Sequence, residues 1–274
     1  MLGKLIKHEF RATARLMLPL FLVVVLLSVT ARVLYSDILL TVKAEKFYSI
    51  LGTLITIAFV IALVIVTVFS VVLMVSRFYR NLMTDEGYLM FTLPAGVHRI
   101  LWSKLIVSAV WFLATFAIDA LAIFIAVSEG GELRNLFDAL REFLSQLDTY
   151  YALNGAAFVL ELLVLALLSL LVTCLNFYAP IAIGHSFANH KTLLSVVFYF
   201  ALSAFWEVVF VVLSWSGITW LDSSSALIGN ASNIPATLTL AHSLILSVTV
   251  WMLVVGAAMY FLTWFMLRKH RNLQ

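Results

Sequence analysis

Hydrophobic and polar positions fall in long blocks along this chain. Six apolar runs, Leu16 to Leu34, Ile50 to Val75, Leu101 to Val127, Ala156 to Tyr178, Leu193 to Trp215 and Leu244 to Leu267, each approach or exceed the roughly 20 residues that cross a bilayer as a helix. Little chain is left over, so residues 1–274 read as one all-helical transmembrane domain of six spans. A different rhythm precedes the first run. Leu2, Leu5, Ile6, Phe10, Thr13 and Met17 share one helical face, and Lys4, Lys7, His8, Arg11 and Arg15 share the other. That pattern predicts an amphipathic elbow lying in the interface and leading into span one. A second amphipathic helix is expected over 131–150, where Leu133, Leu136, Phe137, Leu140, Phe143, Leu144 and Leu147 recur at helical spacing. It reads as a helix on the outer surface, either a linker or a gate. Ser216 to His242 is too interrupted by Gly217, Gly229, Asn230, Asn233 and Pro235 to cross, and too apolar for an open loop. Short re-entrant helices before span six fit it.

Composition supports the same class. Hydrophobic residues make up 64% and charged residues 11%, far from the roughly 25% charge of soluble domains. Mean hydropathy is +1.08. A net charge of +3 does not point to nucleic acid, because the basic residues flank the spans. With the N-terminus inside, the cytoplasmic side holds Lys4, Lys7, Arg11, Arg15, Arg77, Arg80, Arg99, Lys104, Lys191, Arg268, Lys269 and Arg271, which is 12 of the 17 Lys and Arg. The positive-inside rule then places both termini in the cytoplasm. The basic start could open a secretory signal, but the apolar run is long for one, so the segment reads as retained.

Between spans two and three stands a polar island, Arg77 to Lys104. Thr84 is a candidate N-cap for a short helix, with Asp85 and Glu86 in the first turn against the helix dipole and Pro94 beyond its end. The helix would run Thr84, Asp85, Glu86, Gly87, Tyr88, Leu89, Met90, Phe91, with its aromatic and aliphatic tail free to pack on another protein.

The string DEGYLMFTLPAGVHRILWSKLIVS, Asp85 to Ser108, resembles the first cytoplasmic loop of ABC-2 type transporter permeases, the compact six-span kind of Gram-positive bacteria. The matching features are Glu86 and Gly87, then Leu93 and Pro94, then Arg99 and Lys104 opening span three. A second patch, IAIGHSFANHK from Ile181 to Lys191, resembles the family's other cytoplasmic loop. The resemblance covers the whole chain in layout and about forty residues in motif. It implies the membrane half of an exporter in a bacterial cell membrane. Two permease chains, identical or related, would pair, and two separate ATPases would supply ATP and Mg chemistry from below. Thr84 to Phe91 would be the coupling helix. An amphiphilic cargo such as a peptide, drug or lipid-like compound would cross by alternating access.

No GxxxxGK[ST] phosphate loop is present, so this chain does not cradle a nucleotide in that way and its energy is expected from a partner or an ion gradient; the resemblance implies an ATPase partner holding ATP and Mg, with no cofactor in this chain. No catalytic motif is apparent. Cys174 is single and inside a span, and His185 and His190 lack the acidic or thiolate company of a metal site, so neither catalytic nor metal residues are assigned. Pro180 and Gly184 predict a break near the inner end of span four. Three acids lie within spans: Asp119, Glu161 and Glu207. An acid at a helix centre costs about 2.5–3.5 kcal/mol on insertion scales. Counted from the outer ends of their runs they share one depth, which suggests one layer bordering the translocation pathway, offset by Arg32 and hydroxyls. The reading from another class is a non-transporting scaffold or sensor that uses the island to dock a soluble partner.

Overall fold

The structure, a computed structural model, describes residues 2–35, 45–84, 87, 96–128, 134–135, 137–139, 141–143, 145, 155–187, 189–225 and 234–269. Among these, six long helices account for nearly everything and no strand occurs: α1 Leu2–Tyr35, α2 Glu45–Met83, α3 Val97–Val127, α4 Gly155–Gly184, α5 Lys191–Ser225 and α6 Ile234–Lys269. All six are long and apolar enough to cross a membrane. The shortest has 30 residues, or about 45 Å, so every helix outruns the roughly 30 Å of hydrocarbon.

Several helix limits differ from the sequence expectation. The amphipathic start and the first span form one unbroken helix through Pro19, which gives up only its own bond to Arg15. Pro180 likewise lies inside α4, which continues to Gly184. The expected break at Pro180 is therefore absent, and the helix stops four residues later. Of the stretch read as re-entrant, 216–225 continue α5 and 234–242 belong to α6, while 226–233 lie outside the described residues. Pro235 sits in the first turn of α6, where a missing N–H costs nothing and a fixed φ suits the helix, so it starts a helix instead of interrupting one. The described residues between 134 and 145 are helical and exposed.

The chain divides into two compact units, Met1–Phe78 with Arg99–Ala139, and Tyr79–His98 with Leu140–Gln274. In the first, Met17, Phe21 and Val24 of α1, Phe59, Val66 and Leu73 of α2, and Val107, Trp111 and Ala122 of α3 make a buried cluster. Spacings of four and three in α1, seven in α2, and four and eleven in α3 put these side chains on one stripe of each helix. Contacts between α1 and α3 keep a nearly constant offset. Glu9 meets Lys104, Trp111 Nε1 donates to Thr13 Oγ1 at 2.7 Å, and Arg32 Nη1 donates to Ser128 Oγ at 2.9 Å. Those helices therefore run parallel along nearly their whole length. Phe10 and Phe21 flank the Trp111 ring at 5.2 and 6.0 Å between centroids. In the second unit α4 packs on both α5 and α6. Glu161 with His242 and Val172 with Gly256 make α4 and α6 parallel, whereas Gly184 with Ser195 and Asn176 with Ser203 make α4 and α5 antiparallel.

Charge is buried at one place that the amphipathic pattern did not foresee. Glu9 is on the apolar face of α1, and its carboxylate pairs with the Lys104 ammonium, both side chains under a tenth exposed. Lys104 thus has a structural partner in addition to its weight as a topology signal. Removing one partner leaves the other charge stranded, which costs about 3–5 kcal/mol for buried pairs, whereas removing both is far milder. Glu9→Gln or Lys104→Met should each lower stability by that order. The double variant should lose less than the sum of the two, measured by denaturant unfolding in detergent.

Candidate functional site: the polar island and the intramembrane acids

The island is held at both ends. Where it leaves α2, Tyr79 meets the His185 ring edge to face at 5.1 Å, just past the last turn of α4. Where it enters α3, His98 Nδ1 and the Tyr260 hydroxyl lie 2.7 Å apart, and the His98 ring stacks on Trp264 at 4.9 Å and 19°. Arg268 closes the series, its guanidinium 5.3 Å from the Trp264 ring centroid. Tyr260, Trp264 and Arg268 are four residues apart on α6 and so form one ladder down its face. Sequence reading gave Arg268 only a topological role. The aromatic, aromatic, cation spacing was the signal that could have revealed the ladder.

Of the residues expected in the coupling helix, Thr84 and Gly87 are described, and Asp85, Glu86, Tyr88, Leu89, Met90 and Phe91 lie outside the described residues. Thr84 does not cap through its side chain towards Gly87. Its hydroxyl donates back to the Arg80 carbonyl at the end of α2, and the Gly87 N–H donates to the Thr84 carbonyl at 2.7 Å. Gly87 is buried in this turn, and a Cβ there would come within 2.6 Å of the Leu82 carbonyl oxygen. Close approach of backbone to backbone accounts for the glycine.

At the α4–α5 connection, Gly184 is needed for a similar reason. An added Cβ would fall 2.2 Å from Ser195 Oγ and 2.5 Å from Ser195 N, so α5 packs directly on the end of α4. His190 takes φ 55° just before α5 begins. His185, read from sequence as a loop histidine, is buried. Its Nδ1 donates to the Ile181 carbonyl at 2.8 Å, and Nε2 has no partner among the described residues. Burial holds this imidazole below its usual pKa; the bond to Ile181 pulls the other way, and the Lys191 charge adds to the lowering.

The three acids do not share a layer. Asp119 belongs to the first unit, where Thr67 Oγ1 donates to Oδ2 at 3.0 Å and Oδ1 has no partner among the described residues. Arg32, expected to offset the acids, instead reaches the end of α3 at Ser128 and, at 3.4 Å, the Ile125 carbonyl. Glu161 Oε2 lies 2.6 Å from His242 Nδ1, with Phe158 edge-on to the imidazole at 5.8 Å. From the Asn176–Ser203 contact, Glu161 is fifteen residues back along α4, while Glu207 is four residues forward along antiparallel α5. The difference of eleven residues separates them by roughly 16 Å along the helices. The apolar span of α5 ends at Trp215, as the run in the sequence has it, while the helix itself continues to Ser225. Among the described residues no group of three or more metal-binding side chains forms.

Comparison with known proteins adds no relative: no protein-family model matches the chain, and no curated protein or solved structure does.

Two outcomes follow from this geometry. Gly87→Val should displace the turn after α2 and make the 84–96 segment cleave faster in limited proteolysis, with the helices still inserted. For His185, the folded pKa lies below the unfolded value near 6.5. Its contribution is therefore complete above that pH and lost as pH falls through the window beneath it. Thermal unfolding in detergent should show stability declining on acidification from pH 7.5, and His185→Asn should flatten that slope.

Proposed function

We propose that this chain is the membrane-spanning subunit of an ATP-driven exporter of the ABC-2 permease type. The observation that carries the reading is the double anchoring of the island, by Tyr79 to His185 and by His98 to Tyr260 and Trp264. A partner pressing on a surface helix between those anchors would act on the ends of α4 and α6 through Tyr79 and His98. Resemblance of Asp85 to Ser108 and of Ile181 to Lys191 to the two inner loops of such permeases supports the same conclusion. In this reading Thr84 to Phe91 is the coupling helix, and each of two ATPases brings ATP and Mg. Two permease chains form the route in a bacterial cell membrane, with termini in the cytoplasm. The first half of α1 works as the interfacial elbow, and the 131–150 helix covers the outer surface. The cargo is an amphiphile, passed by alternating access.

Glu86→Arg places a cation on the expected ATPase contact, and His98→Ala removes an anchor. In vesicles containing the chain and its ATPase, Glu86→Arg should abolish cargo-stimulated hydrolysis. His98→Ala should leave ATPase binding intact and cut transport per ATP severalfold. Normal transport and hydrolysis by both variants would reduce the island to an ordinary topogenic loop.

A further inference from the structure

Two of the three intramembrane acids are answered within their own unit, Asp119 by the Thr67 hydroxyl and Glu161 by His242. Glu207 differs. It is exposed, and among the described residues nothing donates to it. It stands sixteen residues from Lys191 and eight from Trp215, the ends of the apolar span of α5, roughly 24 and 12 Å along the helix and so inside the span from either side. Phospholipid headgroups do not reach that depth, and acyl chains offer a carboxylate nothing. A second copy joined through the same face across a twofold would set Glu207 against Glu207, two like charges in low dielectric. A solute that brings a positive charge into the bilayer supplies the complement that the described residues do not.

The flank around Glu207 suits such a solute. Phe200, 66% exposed, lies two turns before it, and Phe210, 42% exposed, one turn after, on the same side of α5. We propose that Glu207, with Phe200 and Phe210, forms a binding site for amphiphilic organic cations, the carboxylate meeting the charge and the rings its apolar body. Aromatic faces also attract a desolvated cation directly. This deepens the exporter reading and rests on it, since a carrier has a use for an outward-facing acid within its span.

The site can be read by binding alone, with no ATPase. The purified chain in phosphatidylcholine nanodiscs is titrated with tetraphenylphosphonium, with neutral triphenylphosphine oxide as the uncharged comparison. Wild type should bind the cation well above empty nanodiscs and prefer it to the neutral compound. Glu207→Gln should weaken cation binding about tenfold or more and leave the neutral compound unchanged. Glu207→Asp, which keeps the charge, should retain most of the affinity, and Phe200→Ala should weaken both ligands. Equal binding by wild type and Glu207→Gln, equal affinity for the neutral compound, or no binding above the lipid background would each overturn the proposal. Cation binding that depends on Glu207, with no ATP-driven transport in the complete assembly, would leave the site standing and sink the exporter reading. Transport of amphiphiles indifferent to residue 207 would do the reverse.

Discussion

No water reaches the centre of a bilayer, so each polar group there must find its partner within protein or take one from whatever crosses. That constraint accounts for most of the side-chain chemistry in this molecule. Thr13, Thr115 and Thr263 turn their hydroxyls back to carbonyls one turn earlier. Trp111 aims its indole N–H at Thr13, Arg32 reaches the end of α3, and Glu9 meets Lys104. Apolar side chains obey the opposite logic. Leu22, Phe116, Leu160 and Phe200 face outward without penalty, because lipid is as apolar as they are. Packing inside each unit therefore depends on close fit and on a small number of directed polar contacts.

Much of the architecture was legible in the chain because length and hydropathy alone define a spanning helix. Six runs became six helices. What the runs could not give was their ends, since a helix continues through polar residues for as long as backbone bonds and neighbours allow. Residues 216–225 extend α5 past Trp215, where its apolar span ends. Proline was misread for a related reason. Pro180 and Pro235 look like interruptions in the sequence, yet one is accommodated within a helix and the other begins one.

The candidate site was half legible. A polar stretch between two apolar runs announces itself, and the glycine at 87 marks a position where a backbone comes close. The anchors did not announce themselves, because His98 and Tyr260 are 162 residues apart and meet only through the fold. Glu9 was more accessible. It is the only acid among the first 36 residues, and its spacing from Leu5, Ile6 and Thr13 already placed it on the apolar face. An acid on the buried face of a helix demands a cation, and Lys104 is one of the two basic residues opening span three.

The pairing of Glu9 with Lys104 also bears on how the molecule is made. The two residues are 95 positions apart, so a ribosome working at about 5–20 residues per second releases the carboxylate roughly 5–20 seconds before its ammonium. Throughout that interval α1 is complete as a hydrophobic segment, but its first turns carry an acid with no buried place to go. The pair cannot close until α3 has been made, so the contact between the first turns of α1 and the start of α3 is a late step of assembly.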